Sequence, residues 1–386
     1  MISDSHELMP SEKTCLALLQ KLIRFNTCQP DGHEEIVVDW ILNQLPNSIK
    51  TKKISHGRDR ASLIIKIDGK TDNGGLALMG HLDTVACSEG WHYPPHAADV
   101  NDHLLYGRGA SDMKGGDAAM LLTLKNLIDH HFVPNEPVYF CFTADEEAQG
   151  IGVQSIVASH VLDQVKELIV CEPSNNQISN SEKGAFWMHF TIHGASSHAS
   201  RPTLGVNAIE YALDLGKTIK SWIQERSVHP ILGPSTAAIT RLTGGFMTNI
   251  IPSQAEMEMD IRTNPDLTTD QLISNINSII KDLSDSEKSS RLKIKMKVIN
   301  NRPAIETNPQ HPMVQTLKNL GRQFGIESTE RGHFFYTDAS QFIPAFPIPF
   351  VIAGPGDDAQ AHCVDEHIDV RSIQKFTALY SNYIVK

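Results

Sequence analysis

Gly75-Leu76-Ala77-Leu78-Met79-Gly80-His81-Leu82-Asp83 is an unbroken apolar stretch that ends on a histidine and an aspartate. Apolar residues without alternation read as a strand buried on both faces, the habit of parallel sheets. Val138-Tyr139-Phe140-Cys141-Phe142-Thr143 has the same texture and runs into Asp145-Glu146-Glu147, and Glu167-Leu168-Ile169-Val170-Cys171 runs into Glu172-Pro173. Ala61–Ile67 reads as a further strand. Helical spacing fills the gaps, over 11–25 (Leu16, Leu18, Leu19, Leu22, Ile23, with Ser11 as N-cap), 34–45 and 113–130. Strands alternating with helices predict an α/β fold with a mostly parallel sheet flanked by helices. Three acidic or histidine groups then sit just past the carboxyl ends of strands, the edge where ligands collect in open α/β sheets.

The texture changes after Glu182. Phe186–Ile192 alternates like a half-exposed strand, a helix is expected over 206–225, strands over 236–242 and 255–261, a helix over 268–283, and an alternating strand over 292–298. Strand–helix–strand–strand–helix–strand is the ferredoxin-like order. The expectation is an inserted α+β domain at 183–300, its sheet having one face against helices and one free for water or a partner. From about Pro303 the first texture returns, with helices expected over 312–324 and 373–384 and a buried strand over 349–353. Residues 1–182 and 301–386 would form the other domain. A chain of 386 residues is long for one core, in keeping with two domains.

Apolar residues make up 40% and charged residues 20%, ordinary for a soluble enzyme. A net charge of -11 argues against a nucleic-acid partner, which needs a Lys/Arg excess. No apolar run approaches the ~20 residues that span a bilayer. Met1–Glu7 has neither a basic nor an apolar leader region, so a cytoplasmic location is expected. The six cysteines show no CxxC spacing and read as reduced thiols. Cys87, Cys171 and Cys363 lie near candidate site residues in sequence, and the reading for them is small buried packing residues.

The chemistry sits in the polar ends of these strands and in one distant histidine, His362. Two histidines with three carboxylates, and one carboxylate over, are what a two-metal hydrolytic site requires. Neutral imidazole and carboxylate oxygen suit Zn²⁺ and its neighbours, and one carboxylate can bridge two ions about 3.5–4 Å apart. His81 and Asp83, two apart in extended chain, share a face, so Asp83 could fix the imidazole tautomer; alone, the pair also reads as a loop histidine beside a solvated aspartate. Asp112 ends a Gly107-Arg108-Gly109 turn that would also suit a phosphate, although no Walker pairing follows. Glu146 and Glu147 point different ways, so one could bind metal while the other acts as general base and then acid. His198 could donate to a developing oxyanion. Asn249 and Arg262 could grip a substrate carboxylate, for which Arg is the natural bidentate partner. Each of these last three alone also reads as ordinary loop packing or surface charge.

Taken together these motifs resemble the M20 metallopeptidases, in particular the acetylornithine deacetylase / succinyl-diaminopimelate desuccinylase branch. The resemblance runs in order through Gly80–Thr84, Gly107–Gly115, Asp145–Glu147, Glu172-Pro173, Ser197–Pro202, Gly205–Ile209, Thr337–Ser340 and Ala361-His362. It implies a zinc-exopeptidase-like catalytic domain and two divalent ions, most simply Zn²⁺, with Co²⁺ or Mn²⁺ as alternatives. His81 and Glu172 would hold one ion, Glu147 and His362 the other, and Asp112 would bridge them. Asp83 would orient His81, and Glu146 would move the proton from water to the leaving amine. The inserted domain would form a homodimer, with His198 and Asn249 reaching the partner's site and Arg262 binding a carboxylate. Glu172, rather than aspartate, resembles the deacylases more than the tripeptide aminopeptidases. The implied reaction removes a small acyl group from an amino acid, succinyl or acetyl. A carboxypeptidase, dipeptidase or aminoacylase on short peptides or other N-acyl amino acids stays open, as does an inactive binding protein on the same fold. A nucleotide-binding α/β protein is the remaining reading of the glycine-rich turn.

Overall fold

The computed structural model describes residues 8–286 and 291–386; Met1–Glu7, read above as having no leader, lie outside the described residues. Two compact units divide the chain. The first takes it up to Ser181 and then Glu306–Arg331 and Thr337–Lys386; the second is Glu182–Ile305 with Gly332–Tyr336. That last short segment belongs to the second unit although no change of composition marks it.

The strands of the two main sheets are, in chain order, β1 (Lys50–Ser55), β2 (Ala61–Ile67), β3 (Leu76–His81), β4 (Val138–Thr143), β5 (Glu167–Pro173), β6 (Gly184–His193), β7 (Thr236–Gly244), β8 (Gln254–Thr263), β9 (Lys293–Arg302) and β10 (Phe350–Gly354). The helices are α1 (Glu12–Ile23), α2 (Glu34–Leu42), α3 (Gly115–Asp129), α4 (Ile151–Ala158), α5 (Ala208–Gln224), α6 (Thr269–Ser286), α7 (Pro312–Gly321), α8 (Ala339–Phe342) and α9 (Val370–Val385).

In the first unit the sheet order is β1-β2-β4-β3-β5-β10. The β4, β3, β5 and β10 pairings are parallel, and β1-β2-β4 adds an antiparallel edge. Helices cover both faces, which is why β3 and β4 are buried along their whole length and carry no polar alternation. Leu76 and Leu78 join the core formed with α1, α3 and α9, while Ala77 and Met79 point to the other face. Ser11 caps α1, its side chain accepting from the Thr14 amide at 3.2 Å, and the helix buries Cys15, Leu19, Leu22 and Ile23 at helical spacing. Strand β1 goes unpredicted because its Lys-Thr-Lys-Lys run has no apolar face to alternate; it is an exposed edge, and lysines there disfavour further pairing.

In the second unit the sheet order is β7-β8-β6-β9, antiparallel throughout, with α5 and α6 between strands as the ferredoxin-like order requires. Phe186, Met188, Phe190 and Ile192 of β6 pack with Leu215 and Ile219 of α5 and Leu272 and Ile276 of α6. The opposite face carries Glu256, Glu258 and Asp260 on β8 and Lys293, Lys295 and Lys297 on β9. Among the described residues no helix is long and apolar enough to cross a membrane.

Candidate metal centre

Strand β3 ends on His81 and lies between β4 and β5, so the polar residues that close these three neighbours meet at one sheet edge. Glu172 is in fact part of β5 rather than beyond it. His81 Nε2 lies 3.1 Å from Asp112 Oδ1 and 3.4 Å from Glu172 Oε1. His362 Nε2 lies 3.0 Å from Glu147 Oε1 and 3.4 Å from Asp112 Oδ2. Asp112 therefore presents one oxygen to each imidazole, and the structure brings His81, Asp112, Glu147, Glu172 and His362 into one cluster. His81, Asp112 and Glu147 each offer an atom within 4.8 Å of the others.

Three carboxylates supply what holds these groups in place. Glu366 is fully buried and accepts from the amides of Gly109 (3.0 Å), Ser111 (2.9 Å) and Asp112 (3.0 Å) and from Arg108 Nη1 (2.8 Å). It folds the glycine-rich turn around itself and leaves Asp112 projecting into the cluster. Gly109 is needed there because its φ is +84°. Gly116 is needed for a different reason: a Cβ would collide with the Cys171 carbonyl where α3 crosses β5. Asp83 is the second brace, its Oδ1 accepting from the Glu146 amide (3.0 Å) and its Oδ2 from the Glu147 amide (3.1 Å) and Gln29 Nε2 (2.7 Å). Asp145 is the third: its carboxylate accepts from the Gln149 and Ile151 amides and pairs with Arg60 Nη1 at 3.0 Å.

This revises the part given to Asp83. Its carboxylate stands 3.7 Å from His81 Nδ1, whereas its backbone carbonyl accepts at 2.9 Å from that nitrogen. The tautomer is fixed by the carbonyl, leaving Nε2 free as a ligand, and the carboxylate instead positions Glu146 and Glu147. The reading of Cys87, Cys171 and Cys363 as buried packing residues holds for Cys171 and is corrected for the other two. Cys171 is buried and its thiol is pushed up by that burial, but Cys87 and Cys363 are exposed.

The electrostatics describe a cluster that calls for positive charge. Burial lifts Glu172 to about 7 and raises Glu147, with Asp112 adding to both. Burial would raise Asp112 as well, yet the imidazoles of His362 and His81 hold it well below the usual carboxylate range. Hydrogen bonds to Asp112 and Glu147 lift His362 to about 10. His81, despite full burial, is raised by Glu172 and Asp112. The carboxylates thus favour the charged imidazoles in the protein alone, and divalent cations would take over that balance when bound, with each ring neutral and its Nε2 free. Two imidazole nitrogens and three carboxylates, with Asp112 placed to bridge, fit a pair of borderline divalent ions. Glu146 is buried beside them and makes none of these contacts with the imidazoles.

His198, Asn249 and Arg262 belong to the second unit. The Ala199 amide donates to the Asn249 carbonyl at 2.9 Å, so His198 and Asn249 share one pair of bridged loops. His198 Nδ1 lies 2.8 Å from the Ser200 hydroxyl. Arg262 is already paired with Asp260, through Nε at 2.9 Å and Nη2 at 3.1 Å.

A model of peptidase family M20/M25/M40 matches residues 77–386. The chain belongs to that family. As an M20 member it is a metal-dependent amide hydrolase. A probable succinyl-diaminopimelate desuccinylase of Staphylococcus aureus strain Mu50 is 27% identical over 96% of this chain and 98% of its own length. An acetylornithine deacetylase of Pectobacterium carotovorum is 32% identical over 81% of this chain and 80% of its own. Among solved structures, a tripeptidase of Staphylococcus aureus superposes with a TM-score of 0.76 at 20% identity, covering 98% of each chain. A dinuclear metal-binding M20 peptidase of Bacillus subtilis superposes with a TM-score of 0.73 at 16% identity, covering 97% of each. Both likenesses concern the fold.

Proposed function

We propose that this M20 hydrolase removes a small acyl group, succinyl or acetyl, from the amino nitrogen of an amino acid. The observation that carries the reading is Asp112, with one carboxylate oxygen toward each of two imidazoles and the unused carboxylate of Glu146 beside them. Two divalent ions, most simply Zn²⁺, would be held by His81 with Glu172 and by His362 with Glu147, bridged by Asp112. When bound, such ions polarise the amide carbonyl and make water acidic enough to attack near neutral pH.

Glu146 takes a proton from the attacking water as its oxygen bonds to the acyl carbon. It returns that proton to the amine nitrogen as the C–N bond breaks, releasing the carboxylic acid and the free amine. Asp83 keeps Glu146 in reach by holding its amide. Arg262 is the candidate for the substrate carboxylate, which would share the guanidinium with Asp260 through the remaining Nη1. His198 would donate to the oxyanion, and we place it, with Asn249, in the partner's site of a homodimer formed through the second unit, in the cytoplasm.

The deacylase names of the relatives support the substrate class, and the tripeptidase fold neighbour names the competing one. The test is turnover of N-succinyl-diaminopimelate, N-acetylornithine, a further N-acetyl amino acid, a dipeptide and a tripeptide by Zn²⁺-loaded protein, with Glu146→Gln as control. Cleavage of an N-acyl amino acid that disappears in the variant supports the proposal. Cleavage confined to the peptides would reject the deacylase reading and keep the hydrolase.

A further inference from the structure

Outside the carboxylate-rich cluster, the first unit gathers a second and chemically different set of donors. Cys28 Sγ and Cys87 Sγ are 3.7 Å apart, and each lies 3.8 Å from His96 Nε2. The three atoms form a nearly equilateral triangle, drawn from residues up to 68 positions apart. Two thiolates bound at about 2.3 Å to a tetrahedral Zn²⁺ stand about 3.8 Å apart, so the triangle has the size of one tetrahedral face. His96 is oriented for the same role. Its Nδ1 lies 3.3 Å from the Ile23 carbonyl, which can only accept, so the proton sits on Nδ1 and the Nε2 lone pair points at the sulfurs. The Thr84 hydroxyl donates to Cys28 Sγ at 3.4 Å, a contact that favours thiolate.

We infer that Cys28, Cys87 and His96 form a separate site for one thiophilic divalent ion, Zn²⁺ above all, with the fourth tetrahedral position open. Thiolates select Zn²⁺ over the harder ions that carboxylates accept, so this site and the Asp112 cluster would differ in preference. A Cys28–Cys87 disulfide would leave the orientation of His96 without a use, which is why a metal accounts for more of what is seen. The site lies next to the catalytic framework: Gln29, which follows Cys28, donates to Asp83, and Cys28 bridges to Thr84 in backbone pairing. An ion here would tie the loop after α1 to the end of β3. The inference stands independently of the proposed substrate.

The test uses cobalt in place of zinc, because a thiolate on Co²⁺ gives an intense near-ultraviolet charge-transfer band that carboxylate and imidazole ligands do not. Reduced full-length protein saturated with Co²⁺ is expected to show the band. It should vanish in Cys28→Ser and in Cys87→Ser, weaken or vanish in His96→Ala, and persist in Asp112→Asn and Cys363→Ser. Absence of the band in the native chain would overturn the inference, and so would its survival in the Cys28→Ser/Cys87→Ser double variant. A Cys28–Cys87 disulfide that persists in protein kept under reductant would overturn it too.

Discussion

In the protein without metal, burial lifts the Glu146 carboxyl well above the usual range, and Asp338, Glu147 and Glu172 push the same way against His81. A carboxyl so placed can hold a proton between two transfers, as a general base that later becomes a general acid must. Glu146→Gln keeps the size and removes the proton transfer, so hydrolysis should fall by roughly 10²–10⁴-fold while metal content, measured by mass spectrometry, stays native. Lys114 offers a test that needs no substrate. Burial holds its ammonium down at about 8, although it donates to the carbonyls of Leu22 (3.2 Å) and Phe25 (2.7 Å). Between about pH 8 and 10.5 the unfolded chain binds a proton there that the folded chain lacks, so stability is gained as pH rises through that window. Relative to Lys114→Met, the native chain should gain on the order of 3 kcal/mol across it in urea unfolding. Of the proposed ligands, His81, Glu147 and Glu172 were legible in sequence because each closes or follows a buried strand, whereas Asp112 and His362 stood out only through the resemblance to the M20 motifs. Glu366 was not legible, since its four donors come from a turn more than 250 residues earlier, and nothing local marks a carboxylate that will be buried beneath it.

At the scale of elements, the turn after β4 shows how helices and strands aim the chemistry. Asp145 sits at φ +68°, a left-handed backbone kept in place by the hydrogen bonds its carboxylate accepts. Arg60, on the loop before β2, ties that turn to α2 by pairing with Asp145 and with the fully buried Glu34 at 2.6 and 3.1 Å. Arg60→Ala would leave two carboxylates without their cation, and the expected loss is about 3–5 kcal/mol by denaturant unfolding. Arg60→Ala/Glu34→Gln should recover part of it. The Ser11 cap, the buried strands and the alternating strands of the second unit could all be read from periodicity, because each expresses one face or two faces of burial. The short helix α4 and the exposed edge β1 could not, as neither carries such a pattern long enough to be seen.

On the scale of the whole molecule, the chain is an M20 hydrolase made of two compact units, and the work proposed for the second is self-association. Sedimentation should then give twice the 42.7 kDa of one chain, with no monomer at micromolar concentration. A persistent monomer would remove His198 and Asn249 from any role in a partner's site. The central claim is narrower: the Asp112 cluster binds two metal ions and those ions are needed for amide hydrolysis. The direct measurement is a Zn²⁺ titration of chelator-treated Cys28→Ser/Cys87→Ser protein, following cleavage of the best N-acyl amino acid. Activity absent at the start, rising with added metal and levelling at two equivalents per chain is the predicted result. Full activity in the chelated protein, or a rise unchanged by Asp112→Asn, would contradict it.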